Sequence, residues 1–253
     1  MIAFTLKNMK KSIFAVLLLL VSLNSFAHFM WVETNPVGKI NKKQDLKVFF
    51  GEYTYGVQEK VNEEAFGKMK NFTVWVISPN GEKNQLQMQP GDLFYSGSFE
   101  PKTNGTYTVV LNNNKIDVVD YTQYDFGIFK THYHATAKVE VGNKANETAG
   151  VNPEGMAIVD LTKKAHTENG EAVFKILYKG QPLKESEVTI FVSDLWSKKI
   201  NTDKDGIIKF SLPWNTKYIM EVTKKEEVPG SYNGKDYGFI WHCATYCIPA
   251  VKK

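Results

Sequence analysis

Hydrophobic and polar residues alternate over short stretches along most of the chain, and this two-residue period predicts β-strands. Examples are residues 45–50 and residues 71–77, and the second of these is followed by the turn sequence Ser-Pro-Asn-Gly at 78–81. The longest alternating stretch runs from Phe129 to Val141, and a final one runs from about Tyr237 to Ile248. Short strands separated by turns rich in Gly and Asn are typical of β-sandwiches.

A polar segment between Gly142 and Gly155, rich in Asn, Gly, Ala and Glu, interrupts this pattern. We interpret it as a linker between two halves of the chain. The sequence therefore predicts an all-β fold with two immunoglobulin-like β-sandwich domains in tandem. The first domain is expected at residues 28–145, the linker at 146–154 and the second domain at 155–253.

The first 27 residues have the three parts of an export signal. Lysines precede the apolar run Ile13–Leu23, which is too short for a membrane-spanning helix, since spanning takes ~20 residues. Small residues at Ser25 and Ala27 then predict cleavage after Ala27. We therefore expect residues 1–27 to be a signal peptide. The mature chain is expected in the periplasm or secreted, with no lipid-anchor cysteine and no insertion into the membrane.

The charge of the chain argues against some classes of partner. The 253 residues carry a formal net charge of +4, and the predicted signal contributes lysines but no acidic residue. The predicted mature chain is thus close to neutral, which gives no electrostatic reason to expect nucleic acid. The chain also contains no arginine, which excludes bidentate guanidinium recognition of phosphate or carboxylate.

His28 becomes the N-terminal residue if cleavage follows Ala27. A histidine at this position carries two nitrogen donors, the α-amine and the imidazole, which can chelate one metal ion together. The pKa of a peptide α-amine is ordinarily ~7.7–8.0, so that its neutral form is accessible at ordinary pH. His28 is therefore a candidate metal ligand.

His132 and His134 lie in the long predicted strand, within the sequence Thr-His-Tyr-His-Ala. Side chains two residues apart on a strand project from the same face, so both imidazoles could approach one ion. The alternative is a pair of exposed polar residues on a half-solvated strand.

His242 lies in the final predicted strand and is followed by Cys243 and Cys247. On a strand, His242 and Cys243 point to opposite faces and are not expected to bind one ion. Four residues of strand separate the two cysteines by about 13 Å, too far for a disulfide, which needs Cα atoms within ~7 Å. We interpret them as buried thiols, with a thiolate site or a disulfide between chains as alternatives.

Several other features have structural interpretations. His166 lies in a polar segment and is expected to be a solvated loop residue. Residues 201–206 match the first half of a calcium loop, but Leu212 stands where the bidentate glutamate is needed, so we expect a hairpin turn. Tyr107 and Tyr218 precede predicted strands and suit the packing role of a tyrosine corner.

The two ends of the predicted mature chain resemble a known family. The opening His-Phe-Met-Trp-Val at 28–32 is similar to the A-H-x-x-W start of a family of exported bacterial proteins of unknown function. Some of these proteins are labelled NikM-like, or nickel-uptake substrate-specific. The segment 232–245 is similar to the G-K-x-Y…H-x-A-T ending of that family. Between them, residues 174–183 and 202–206 resemble the carboxypeptidase-regulatory-like β-sandwich module of many secreted proteins.

Transferred residue by residue, this resemblance singles out His28, Trp31 and His242. The chain departs from the family pattern at Cys243 and Cys247, where apolar or hydroxyl residues are expected. The family label implies a role in the uptake of nickel or a related metal.

Together these observations predict a periplasmic protein that supports the uptake or handling of a transition metal. His28 would hold the ion with one or more of His132, His134 and His242, and a membrane metal transporter is the expected partner. Imidazole-rich sites suit nickel, copper, cobalt or zinc. The sequence contains no phosphate-binding loop, nucleophile elbow or complete metalloprotease motif, and we expect no enzymatic activity.

Two alternatives come from other features. The aromatic residues between Tyr121 and Tyr133 could bind a glycan or a protein, which would make the chain a non-catalytic interaction module. An N-terminal histidine could also belong to a copper oxidase with a histidine brace, which requires a second histidine beside His28.

Overall fold

The structure, a computed structural model, describes residues 28–142, 151–193 and 195–250. The predicted signal peptide, residues 1–27, and residues 146–150 of the predicted linker lie outside the described residues. The described part of the chain is almost entirely β-structure, which confirms the predicted all-β fold.

The strands of the first half of the chain include two long ones, β9 and β11, that occupy the centre of the largest sheet. Their bounds are β1 (Phe29–Thr34), β2 (Val37–Gly38), β3 (Gln44–Glu52), β4 (Val57–Gln58), β5 (Thr73–Ile77), β6 (Lys83–Leu86), β7 (Gln89–Pro90), β8 (Tyr95–Phe99), β9 (Gly105–Asn113), β10 (Val118–Tyr121) and β11 (Gly127–Val141).

The strands of the second half end with another long one, β21. Their bounds are β12 (Met156–Asp160), β13 (Glu171–Tyr178), β14 (Gln181–Pro182), β15 (Glu187–Phe191), β16 (Ser197–Asn201), β17 (Ile207–Ser211), β18 (Tyr218–Glu226), β19 (Gly230–Tyr232), β20 (Lys235–Tyr237) and β21 (Phe239–Ile248).

Helical structure in the described residues is limited to α1 (Glu64–Gly67) and two 3-10 turns, Tyr53–Tyr55 and Thr122–Tyr124. None of the helices in this part of the chain has the length and apolar character needed to cross a membrane.

A ten-stranded sheet, called the long sheet below, has the order β16-β15-β18-β21-β11-β9-β5-β6, with β2 and β10 also paired to β11. A five-stranded sheet has the order β1-β3-β8-β7 with β4 beside β3, and a four-stranded sheet has the order β12-β13-β14 with β17 beside β13. Strands β19 and β20 form a small hairpin.

The two smaller sheets cover opposite faces of the long sheet at β21. Ala244 and Tyr246 pack in the core formed with the four-stranded sheet, whereas Cys243 and Cys247 pack against Phe29 and other residues of the five-stranded sheet. This division follows from the strand period, because successive side chains point to opposite faces. The long sheet is therefore the middle of three layers here.

Strand β1 buries both of its faces. Phe29, Met30, Trp31 and Val32 are each at most 1% exposed. Burial of one large apolar side chain contributes roughly 1.5–3 kcal/mol, so β1 is firmly held. His28, which directly precedes this strand, is thereby fixed in place.

The long sheet joins the two predicted halves of the chain, because β11 pairs in parallel with β21. Each half also builds a layer of its own, since the five-stranded sheet comes from the first half and the four-stranded sheet from the second. The tandem arrangement therefore includes a shared sheet, and the boundaries at residues 145 and 155 stay a prediction.

The tyrosine-corner prediction is confirmed. Residues 201–206 form a turn, but the predicted hairpin is wrong, because β16 and β17 on either side of the turn belong to different sheets. In the turn at residues 201–206, Oδ1 of Asp203 accepts hydrogen bonds from two backbone N–H groups, at 2.9 and 2.8 Å. The hydroxyl groups of Tyr107 and Tyr218 each donate to the carbonyl oxygen of the residue four positions earlier, at 3.1 and 2.9 Å.

The prediction that His166 is solvated is wrong. Its Nε2 lies 2.9 Å from Oδ2 of Asp160, and its ring stacks on that of Phe174 with 5.8 Å between ring centroids. The His166 side chain is only 10% exposed, because its loop folds over the aromatic ring. The polar local sequence gave no sign of these two contacts.

Asp160 is the centre of this buried polar network. Its Oδ2 also lies 3.2 Å from Nζ of Lys138 and accepts a hydrogen bond from the hydroxyl of Tyr246 at 3.3 Å. Burial by itself raises the pKa of Asp160, but the hydrogen bond and charge of His166 and the charge of Lys138 outweigh burial and lower this pKa to about 2.

We expect Asp160→Asn to lower the free energy of unfolding by about 2 kcal/mol at neutral pH. Because the folded pKa lies below the ordinary value of 3.8, the carboxylate stabilises the fold above about pH 4, and this contribution is lost as the pH falls toward 2. Denaturant unfolding of both proteins between pH 2 and 7 measures the difference. A difference that is equally large at pH 2 would contradict an electrostatic role.

Candidate metal centre

Three of the four histidines predicted as metal ligands meet on one face of the long sheet. The parallel register of β11 and β21 pairs His132 with His242, and His134 lies two residues further along β11. Each of the three therefore projects toward the side covered by the four-stranded sheet. We call His132, His134 and His242 the histidine triad.

The triad nitrogens converge closely enough to bind one ion. Each ring offers one nitrogen, and these three atoms all lie within 4.8 Å of one another. A distance of 3.0 Å joins Nε2 of His134 and Nδ1 of His242. His134 and His242 are buried, whereas His132 is half-buried and leaves the triad accessible on its side.

The protonated nitrogen of His134 follows from its other neighbour. Nδ1 of His134 lies 2.7 Å from Oδ1 of Asn112, which also accepts a hydrogen bond from Nδ2 of Asn152. The amide of Asn152 is itself oriented by the backbone, because it donates to the carbonyl of Met156 and accepts from the N–H of Glu154. Oδ1 of Asn112 is thus an acceptor, Nδ1 of His134 must donate, and Nε2 keeps the lone pair.

Glu226 determines the tautomer of His242 in the same way. Nε2 of His242 lies 3.0 Å from Oε2 of Glu226, and Lys179 donates to the other carboxylate oxygen. Burial raises the pKa of Glu226, but hydrogen bonds from Lys179 and His242 and the charge of Lys179 outweigh it and bring this pKa to about 2. The carboxylate is therefore ionised, and His242 donates from Nε2 and keeps the lone pair on Nδ1.

As a result, two nitrogen lone pairs face each other across 3.0 Å. A proton between them is disfavoured, because burial and the other triad histidines lower the pKa of His134 to about 3. Burial and the neighbouring charges of His242 and Lys130 lower the pKa of His132 to about 4, and burial lowers that of His242. At neutral pH the triad thus presents three uncharged imidazoles, and the inner nitrogens of His134 and His242 both hold lone pairs, an arrangement suited to a metal cation.

The structure places His28 away from the triad, on the other face of the long sheet. The carbonyl oxygen of His28 accepts a hydrogen bond of 2.9 Å from the hydroxyl of Tyr133. Because Tyr133 lies between His132 and His134 on β11, its side chain points to the opposite face. His28 is accordingly not among the three residues whose ligand atoms converge.

The two cysteines also lie on the face opposite the triad, as the strand period predicts. Both are free and buried, in agreement with their interpretation as buried thiols. The thiol of Cys243 donates to Oε1 of Glu221 at 3.2 Å, and burial raises the pKa of Cys243 well above its ordinary value.

Sequence reasoning missed the residues that orient the triad. Glu226 lies in a run of charged residues, and Asn112 lies in a run of three asparagines, so neither differs locally from a surface residue. Gly155 was also missed, although a Cβ atom at this position would come within 2.1 Å of Cε1 of His134. Glycine is therefore required here for the His134 ring to occupy its position.

The fold and the triad together define an all-β protein with a buried cluster of three histidines that can hold a metal ion.

Comparison with known families assigns the chain more specifically. Residues 25–226 match the family described as Domain of unknown function (DUF4198), and since this match covers most of the chain, the protein belongs to that family. The comparison with curated proteins found no match. Membership of a family of unknown function agrees with the resemblance in the sequence, whereas the nickel label and the regulatory-like module stay predictions. The matched range contains His132 and His134 but ends before His242.

In the metal-free protein we expect His134 to carry its proton on Nδ1 and His242 to carry its proton on Nε2. Long-range ¹H–¹⁵N correlation spectra of the imidazole nitrogens distinguish the two tautomers. The His134 ring should remain neutral at pH 5, because its pKa is about 3.

Glu226→Ala serves as the control for this measurement, because it should remove the tautomer preference of His242 and leave that of His134 unchanged. A proton on Nδ1 of His242 in the unmodified protein would contradict the opposed lone pairs.

Proposed function

We propose that the protein binds one transition-metal ion through His132, His134 and His242. The observation that carries this proposal is the pair of opposed lone pairs on His134 and His242, 3.0 Å apart in a buried site. Two unprotonated nitrogens this close repel each other unless a cation lies between them. A bound ion would satisfy both nitrogens at once.

The triad favours metals of borderline softness. Neutral imidazoles suit nickel, copper, cobalt and zinc, and no thiolate or carboxylate belongs to the converging group among the described residues. A separation of 3.0 Å between two ligand nitrogens fits an ion bound to each at about 2.0–2.1 Å. Glu226 and Asn112 would act as the outer partners that fix imidazole orientation and raise ligand basicity.

The role that fits such a site is the handling or uptake of a metal outside the cytoplasm. Support for this location comes from the signal-like pattern of residues 1–27 and from the resemblance to exported proteins. The half-buried His132 gives the site an accessible side, through which an ion could pass to or from a membrane metal transporter. We propose no catalytic role.

Metal binding should decrease in a graded way across a series of variants. Each variant carries four extra residues before His28, so that no α-amine lies close enough to the His28 imidazole to form a chelate with it. We expect His132→Ala to abolish tight binding, and Glu226→Ala to weaken it by about 10–100-fold, because Glu226 only orients His242. Calorimetric titration with nickel, copper, cobalt and zinc ions, together with metal analysis, measures affinity and stoichiometry.

Glu227→Ala is the matched control for this series, because Glu227 is 72% exposed and pairs with Lys225 rather than with the triad. It should bind metal as the unmodified protein does. Failure of the unmodified triad to bind any of the four ions at micromolar concentration would overturn the proposed function, and so would unchanged binding by His132→Ala.

A second candidate function is recognition of a glycan by an exposed aromatic patch. Tyr121, Tyr124 and Phe126 are 45%, 59% and 39% exposed, and the ring of Phe126 lies 5.1 Å from that of Trp241 in an edge-on contact. Exposed aromatic rings grouped in this way can stack on sugar rings.

If the patch binds a glycan, Tyr124→Ala should reduce binding on a glycan array by at least tenfold, and metal chelation should have no effect. Tyr55→Ala, at an equally exposed tyrosine outside the patch, is the control. An array on which the unmodified protein binds nothing would remove this candidate.

A further inference from the structure

The surroundings of His28 form a second cluster of polar groups on the face of the long sheet opposite the triad. Nε2 of His28 lies 2.7 Å from Oε1 of Glu59, and both side chains are largely buried, at 24% and 18% exposure. The carbonyl oxygen of His28 accepts from the hydroxyl of Tyr133, and its ring lies 5.4 Å from that of Phe50. The residue is thus held through its side chain and its backbone together.

The contact with Glu59 determines which nitrogen of His28 is a metal donor. In the neutral imidazole, Nε2–H donates to the carboxylate and Nδ1 keeps the lone pair. Nδ1 and the α-nitrogen of the same residue are separated by three carbon atoms, so that both can bind one ion and close a six-membered chelate ring. The carboxylate–imidazole pair therefore orients His28 for chelation.

Glu52 supplies a buried negative charge beside this chelate. Strand β1 pairs with β3 so that Phe29 lies opposite Gly51, which brings His28 and Glu52 to the same end of the two strands. Glu52 is only 6% exposed, and its Oε2 has no hydrogen-bond partner among the described residues. Burial raises the pKa of Glu52, whereas the charge of His28 lowers it. A buried carboxylate oxygen without a donor is costly, and a cation would remove that cost.

We propose that the α-amine and Nδ1 of His28, together with the carboxylate of Glu52, form a second metal site that is separate from the triad. The site forms when the chain is cleaved after Ala27, because only a free α-amine offers a lone pair. Its two nitrogens and one carboxylate oxygen are a ligand set that favours copper(II) or nickel(II). The backbone of the long sheet separates the two sites, so they bind different ions.

The test uses copper(II) and protein exported by its own signal, with the triad disabled by His132→Ala together with His242→Ala. Intact mass first establishes whether the chain begins at His28. We then expect about one copper ion per chain by metal analysis, with nitrogen hyperfine coupling from two donors in the electron paramagnetic resonance spectrum. A chain with four added residues before His28 should bind at least tenfold more weakly and lose the coupling of the amine.

Glu52→Gln tests the third ligand and keeps the size of the side chain. We expect weaker copper binding and a changed spectrum, with the melting temperature measured to establish that the variant is folded. Glu63→Gln is the control, because Glu63 is exposed at the start of α1. It should bind copper as its parent does.

The inference is overturned if the mature chain does not begin at His28, or if the four added residues leave copper binding unchanged. These outcomes leave the proposed triad function intact, because that function is measured with the N-terminus blocked. Conversely, the protein with a free N-terminus could bind copper at His28 while the triad of the blocked protein binds no metal. That result would overturn the proposed function and support this inference.

Discussion

The parallel pairing of β11 with β21 is the constraint on which both the fold and the site depend. It joins strands from the two halves of the chain into one sheet, and it places His132 directly beside His242. The same register buries Ala135 in one core and Ala244 in the other. A shift of β21 by one residue would send His242 to the opposite face and put Trp241 or Cys243 in its place. Core packing thus specifies the geometry of the triad.

The outer ring nitrogens of His134 and His242 have hydrogen-bond acceptors, whereas their inner ring nitrogens face each other with lone pairs. Asn112 and Glu226 accept from the outer nitrogens of His134 and His242, and both acceptors are fixed by partners of their own. In a purely structural network, one of the two inner nitrogens would carry a proton and donate to the other. Here both protons lie on the outer nitrogens, which leaves two inner lone pairs available for a cation. This position of the protons distinguishes a cation site from a packed pair of histidines.

The two-residue alternation in the sequence correctly predicted which side chains share a face within a single strand. It placed His132 and His134 on one face and separated His242 from Cys243, because side chains alternate along a strand. It could not predict that His134 and His242 meet, since they are 108 residues apart and belong to strands whose pairing depends on the whole core. The same limit applies to His166. Its partner Asp160 is only six residues away, yet the loop conformation that joins them depends on the ring of Phe174.

The alternation of side chains along β11 also explains why one ion cannot serve all four candidate histidines. His132 and His134 point to one layer, while Tyr133 points to the other and binds the carbonyl oxygen of His28. The proposed N-terminal chelate and the triad are therefore two separate sites with the sheet between them. They also differ in what creates them. The triad is complete as soon as the strands pair, whereas a chelate at His28 requires cleavage of the chain before that residue. The proposed second centre therefore has two requirements: a fold that brings Glu52 and Glu59 beside His28, and a cleavage that frees the α-amine of that residue.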